Sequence, residues 1–191
     1  KPFDIYWTGH THGSKADVIM QTDFDQRTGR VVQRDGIVVV SPSYLRFFGT
    51  YAGYANTTGG ANSFFGNLSG FSNTTSSYNS FFGHEAGYLS TGSKNTFVGS
   101  GAGRSNTTGS NNLFLGYRSG SANTTGSKNT FAGYKAGFSA STVNNLTFFG
   151  YKAGLSNTTG ARNSFFGYNA GTLVTTGFGN TFLGDRAGST N

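Results

Sequence analysis

The chain has no cysteine, two prolines, one tryptophan and one methionine in 191 residues. Without cysteine there is no disulfide framework, and nothing in the sequence reports on redox compartment. Two prolines against 31 glycines exclude collagen and proline-rich linkers. Acidic residues are scarce: 7 face 14 lysines and arginines, for a net charge of +7. No apolar run is long enough to span a bilayer, and no basic-then-apolar leader opens at Lys1. Aromatic residues are plentiful, 19 phenylalanines and 10 tyrosines, whereas disordered chains are poor in them.

The charge is unevenly placed. Residues 1–44 set Lys1, Lys15, Arg27, Arg30 and Arg34 against Asp4, Asp17, Asp23, Asp25 and Asp35, which balance. From Leu45 onward nine basic residues face only Glu85 and Asp185. The excess positive charge belongs to that second part.

The second part is a tandem array with a 17-residue period. Copies begin at Leu45, Asn62, Asn79, Asn95, Asn112, Asn129, Leu146, Asn163 and Asn180; the third has 16 residues and the ninth is cut short. A short fixed period marks one unit stacked on its neighbours. Repeat position one is asparagine in most copies. Position three is always phenylalanine: Phe47, Phe64, Phe81, Phe97, Phe114, Phe131, Phe148, Phe165 and Phe182. Position four is apolar but varied: Phe48, Phe65, Phe82, Val98, Leu115, Ala132, Phe149, Phe166 and Leu183. Positions five and nine are glycine throughout, and position eight is alanine or serine.

Two glycines and a turn in every copy would cost a helix several kcal/mol, at about 1 kcal/mol per glycine. Short strands divided by glycine turns fit better. We therefore expect an all-β chain: a parallel β-solenoid or β-roll of about nine 17-residue coils over 45–191, preceded by a small β-rich segment over 1–44. Coils would stack at about 4.8 Å. Glycine at positions five and nine would supply positive φ or close backbone approach, and the position-one asparagines would form a ladder of side-chain amides.

Adjacent strand residues point to opposite faces. Position three then fills the coil, while position four points outward and is still apolar. A strand apolar on both faces is usually covered on both, so position four is expected to line a seam between chains: Phe48, Phe65, Phe82, Val98, Leu115, Phe149, Phe166 and Leu183. The partner is a second copy of the chain, in a homo-oligomer, a trimer by preference, or a filament. The alternative is a wider single-chain coil that encloses both residues.

The pattern Asn95-Thr96-Phe97-Val98-Gly99, followed by Asn106-Thr107-Thr108-Gly109, resembles the repeats of bacteriophage tail fibres and related bacterial surface proteins. It is also similar to the head repeats of trimeric autotransporter adhesins. The resemblance covers about three quarters of the chain and implies a trimeric, extracellular β-roll concerned with attachment, on a virion fibre or a cell surface.

In the first 44 residues, Asp4-Ile5-Tyr6-Trp7 reads as a buried strand leading into Thr8-Gly9-His10-Thr11-His12-Gly13. Further β-rich stretches are expected at 16–22 and 31–42, around an Arg27-Thr28-Gly29 turn. The Gly-His-X-His element resembles the last metal-binding motif of calcineurin-like metallophosphoesterases, as does the closing Ser41-Pro42-Ser43-Tyr44-Leu45. The resemblance implies that His10 and His12 help to hold a two-metal centre that activates water. That family's Asp-X-His, Gly-Asp-X-X-Asp and Gly-Asn-His motifs are absent from this sequence. Catalysis by these 191 residues is not expected, nor is any cofactor, unless an upstream half supplies a divalent-metal site. The other reading of His10 and His12 is a surface loop.

Three further features invite function. Sequons begin at Asn56, Asn67, Asn73, Asn106, Asn123, Asn145 and Asn157, and would set N-glycans along one edge; the same motif is also good turn chemistry. Position seven carries Arg118, Lys135, Lys152 and Arg186, a column suited to an acidic polysaccharide or lipopolysaccharide, or else simply solvated. Lys94, Lys128 and Arg162 form a second basic set. No nucleic-acid module is visible. Threonine pairs such as Thr57-Thr58 and Thr107-Thr108 would stack into flat arrays like those of ice-binding solenoids, interrupted at Thr91 and Ser141-Thr142.

Overall fold

The computed structural model describes residues 46–189 and three strands nearer the N-terminus: β1 (Thr22–Asp25), β2 (Arg30–Gln33) and β3 (Ile37–Val38). The expected strand at Asp4–Trp7, the His10/His12 motif and Leu45 lie outside the described residues.

Each repeat contributes one three-residue strand, at positions two to four. These are β4 (Arg46–Phe48), β5 (Ser63–Phe65), β6 (Ser80–Phe82), β7 (Thr96–Val98), β8 (Leu113–Leu115), β9 (Thr130–Ala132), β10 (Thr147–Phe149), β11 (Ser164–Phe166) and β12 (Thr181–Leu183). All nine pair in parallel with their sequence neighbours to give a β-solenoid, with no helix among the described residues. Register is fixed by identity: Phe47 faces Phe64, Phe64 faces Phe81, and so on to Phe165 and Phe182. The short third copy keeps this register, with Phe81 opposite Phe97, because the missing residue is lost from the return turn. At the first coil, β3 runs antiparallel to β4 and pairs Val38 with Phe47, so the N-terminal segment occupies what would be an open sheet edge. β1 and β2 form a separate antiparallel pair flanking the Arg27-Thr28-Gly29 stretch.

The strand ends where glycine five turns the chain. The backbone then makes two successive turns per coil: in the first, the Ala52 N–H donates to the Gly49 carbonyl (3.0 Å) and the Tyr54 N–H to the Tyr51 carbonyl (3.3 Å). Turns of this kind need a positive φ at their third residue. That residue is position seven in the one and position nine in the other. Position nine has φ of 56° to 63° and is always glycine. A second reason excludes any side chain there: a Cβ on Gly137 would lie 2.5 Å from the Phe131 ring. Position five, with φ of 122° to 140°, is a point of coil-to-coil approach, where a Cβ on Gly116 would sit 2.5 Å from the Gly133 carbonyl oxygen.

The core is correspondingly narrow. Phe64, Phe81, Phe97, Phe114, Phe131, Phe148 and Phe165 are all fully buried, flanked by the small residues of position eight. Successive rings lie 4.8 to 5.1 Å apart with interplanar angles of 3° to 15°. Parallel rings at that spacing are slipped rather than directly superposed, because contact distance across the planes is about 3.5 Å. Offset stacking is the favourable arrangement for two aromatic quadrupoles. Each buried ring contributes roughly 2–3 kcal/mol of burial energy.

Candidate functional site

The coils repeat their side chains in columns, three of them facing outward and a fourth mostly internal. The first is position four. Phe48, Phe65, Phe82, Val98, Phe149, Phe166 and Leu183 are exposed, Leu115 is half-buried and Ala132 is buried. Phe149 keeps 55 % of its surface in solvent. The alternative of a wide coil enclosing both phenylalanines does not occur: the strand pattern is out-in-out in nearly every coil. Within the column, Phe48, Phe65 and Phe82 stack on one another at 6.2 and 4.9 Å.

The second column is aromatic and changes position along the rod. In the early coils it stands at position ten, where Tyr54, Phe71 and Tyr88 stack at 5.2 Å. Arg104 ends that run, 5.2 Å from the Tyr88 ring centroid. It also donates to Glu85, with Nε 2.7 Å from Oε2, and these charge-assisted hydrogen bonds hold the Glu85 carboxyl below the usual carboxylate range. In the later coils the column stands at position six, where Tyr117, Tyr134, Tyr151 and Tyr168 stack at 5.0 to 5.4 Å.

The third column is position seven, beside those tyrosines. Arg118 Cζ, Lys135 Nζ and Lys152 Nζ lie 5.4, 5.4 and 5.1 Å from the ring centroids of Tyr117, Tyr134 and Tyr151. Lys135 also reaches Phe138 at 5.6 Å. Arg186 occupies the same repeat position in the last coil, where Asp185 replaces the tyrosine. The only ion pair between described side chains is Arg104–Glu85, so the three stacked cations have no carboxylate partner there. One coil apart, at about 5 Å, they repel by about 1 kcal/mol per neighbouring pair even in water. Every non-glycine residue at position seven also sits in the left-handed region, with φ of 51° to 59°. That conformation costs about 1–3 kcal/mol for an ordinary residue. The sequence signals it only at Gly101 and Asn169, because Tyr51, Leu68, Arg118 and Lys135 have no preference for positive φ. Position seventeen repeats the device, with φ of 54° to 64° at residues such as Lys94, Lys128 and Arg162.

The fourth column is polar and mostly internal. The position-one asparagines are buried, apart from the half-buried Asn180, but they do not form an amide-to-amide ladder. Asn62, Asn79, Asn95 and Asn112 each accept, through Oδ1, the backbone N–H of the next position-one residue at 2.9 Å. Their Nδ2 groups donate to a carbonyl of the return turn that closes their own copy, at 2.7 to 2.9 Å. Each amide thus ties its own return turn to the backbone of the next copy. Only Asn180 and Asn163 make a direct amide contact along this column, at 3.3 Å.

The sequons require a correction. Asn73, Asn106, Asn123 and Asn157 are fully buried, with Asn106 and Asn123 Nδ2 bonded to the carbonyls of Gly109 and Gly126. Asn56 is half-buried and makes the same bond to Gly59. An N-glycan grows from that nitrogen, so the regular decoration of one edge does not fit this fold; Asn67 and Asn145 remain exposed. The threonines of position thirteen are likewise engaged: Thr57, Thr91, Thr107, Thr124 and Thr158 donate their hydroxyls to the next coil's backbone at 3.0 to 3.2 Å.

No group of histidines and carboxylates suited to a metal occurs among the described residues. No helix there is long and apolar enough to cross a membrane. The chain matches no known family model, no curated protein and no solved structure.

Proposed function

We propose that the solenoid is a structural shaft that assembles with copies of itself and carries attachment contacts repeated along its length. The observation that carries this reading is the position-four column. It runs apolar from Phe48 to Leu183, on the outward face of an unbroken parallel sheet. Single exposed hydrophobes are common, but a contiguous apolar strip is a mark of an interaction surface. Copies of the same strip, meeting around a three-fold axis, would bury one another. The role is mechanical and multivalent rather than catalytic, and it suits an extracellular setting such as a virion fibre or a cell-surface filament.

Sedimentation velocity tests the assembly. We expect a species near three times the 20.1 kDa chain mass at micromolar concentration. Replacing exposed Phe82, Phe149 and Phe166 together by serine should yield monomers whose far-ultraviolet circular dichroism is unchanged. A monomeric wild-type chain would sink the proposal.

A further inference from the structure

We infer that the Tyr117–Tyr168 and Arg118–Lys152 columns together form a binding track for an extended acidic polysaccharide with a carboxylate on each sugar. This deepens the attachment reading, and rests on it only for the repetition of contacts.

From Lys135 onward the track is electrostatically one-sided, while Arg118 at its start still feels the Glu85 carboxylate two coils away. Arg118, Lys135 and Lys152 recur once per coil, each beside a tyrosine, with no carboxylate paired to any of them among the described residues. Two costs are retained in three consecutive coils: stacked like charges, and long side chains on left-handed backbone with φ of 51° to 53°. Glycine or asparagine would relieve both, and the array does use them at this position, as Gly101 and Asn169. Ring contacts with Tyr134, Phe138 and Tyr151 offset part of these costs, but no carboxylate among the described residues pairs with Lys135 or Lys152. An external polyanion would, by placing negative charge along the column.

The tyrosines narrow the class of polyanion. Their centroids lie only 5.0 to 5.4 Å apart and their planes are nearly parallel, so the gap between neighbours is already closed. Inserting a nucleobase between two rings would need about 7 Å, twice the contact distance. Base stacking, the main source of affinity for single-stranded nucleic acid, is thereby denied. What remains accessible is a row of ring edges beside a row of cations. That surface suits a ligand that lies along the axis and needs hydrogen bonds and charge at each step. A uronate residue in an extended polymer advances by about the rise of one coil, so its carboxylates recur along the track at a spacing commensurate with the cations. Repetition then supplies avidity without any deep pocket.

Titrating polygalacturonate oligomers into the full chain by calorimetry tests the track. Binding should weaken as salt is raised. The pair Lys135→Asn and Lys152→Asn should weaken it at least tenfold. The fold should survive, because Asn169 already stands at the same position with φ of 54°. The control pair Lys94→Asn and Lys128→Asn removes equal charge at position seventeen, where Asn111 and Asn145 occur naturally, and should change binding less than twofold. Equal losses in both pairs would mean net charge alone, and would overturn the inference. So would absence of binding, or tighter binding of polyadenylate than of polygalacturonate. Sedimentation of the same samples separates the two proposals: a trimer that does not bind sinks the track alone, and a monomer that does bind sinks the assembly alone.

Discussion

Lys135 shows how much a single residue in this array is asked to do. Its ammonium lies near two aromatic rings, its neighbours one coil away are also basic, and its backbone has φ of 53°. The backbone requirement is separable from the charge. Lys135→Gly should stay within about 0.5 kcal/mol of the parent, since relief of strain is offset by greater freedom in the unfolded chain. Lys135→Val should lose about 1–2 kcal/mol, because a β-branched residue tolerates the left-handed region poorly. Urea midpoints measure both, and a valine variant as stable as the glycine one would contradict the strain. At Gly137 the demand is stricter, and Gly137→Ala should cost roughly 3 kcal/mol or more by adding ring contact to an unfavourable φ. Positions five and nine could be read from the sequence because glycine stands there in every copy. Position seven could not, since arginine, lysine, tyrosine and leucine share no local preference; tertiary stacking imposes that conformation on them.

At the scale of one coil, the three-residue strand is too short to be stable by itself, and the coil-to-coil bonds around it matter more than strand propensity. Asn112 is the clearest case. Its Oδ1 accepts the Asn129 N–H at 2.9 Å and its Nδ2 donates to the Gly126 carbonyl at 2.8 Å, both buried. Asn112→Ala strands both groups, and each buried unsatisfied partner costs about 1–3 kcal/mol. We expect a loss of about 2–4 kcal/mol, against less than about 1 kcal/mol for the exposed Thr108→Ala four residues earlier, as measured by thermal unfolding. Equal effects would refute the inter-coil role. The recurrence of asparagine at position one announced stacking, yet its mode was hidden. A ladder of amides and a series of amide-to-backbone bridges ask for the same residue at the same spacing. The sequons stayed ambiguous for a related reason: Asn-Thr-Thr-Gly marks an exposed acceptor site in one setting and an inward-facing turn amide in another, and the turn reading is the one this fold bears out.

Among the described residues each coil packs on its two neighbours, so stability approximates a sum over interfaces. Phe114 sits mid-stack, with Phe97 at 4.8 Å on one side and Phe131 at 4.9 Å on the other. Phe114→Ala removes both ring contacts and should cost roughly 3–5 kcal/mol. The damage should be local. Hydrogen exchange is expected to rise in β7 to β9 while β5 and β11 keep their protection. Uniform loss of protection along the chain would show that the coils do not behave as neighbours only. The nine-copy periodicity foretold the rod, its parallel register and its phenylalanine interior, because each follows from stacking equal units. The shift of the aromatic run from position ten to position six was not foreseen; its cue, a tyrosine at the sixth place in four successive copies, was present but faint beside the invariant phenylalanine and glycine.

The 16-residue third copy carries a last consequence. Its strand keeps step with its neighbours although its corner is one residue shorter. Stacking therefore depends on the strand and its glycine corners rather than on the exact length of the return, and a whole unit added or removed would leave the remaining interfaces of the same kind. Rod length becomes a heritable dimension, adjustable in increments of about 5 Å without inventing a new architecture.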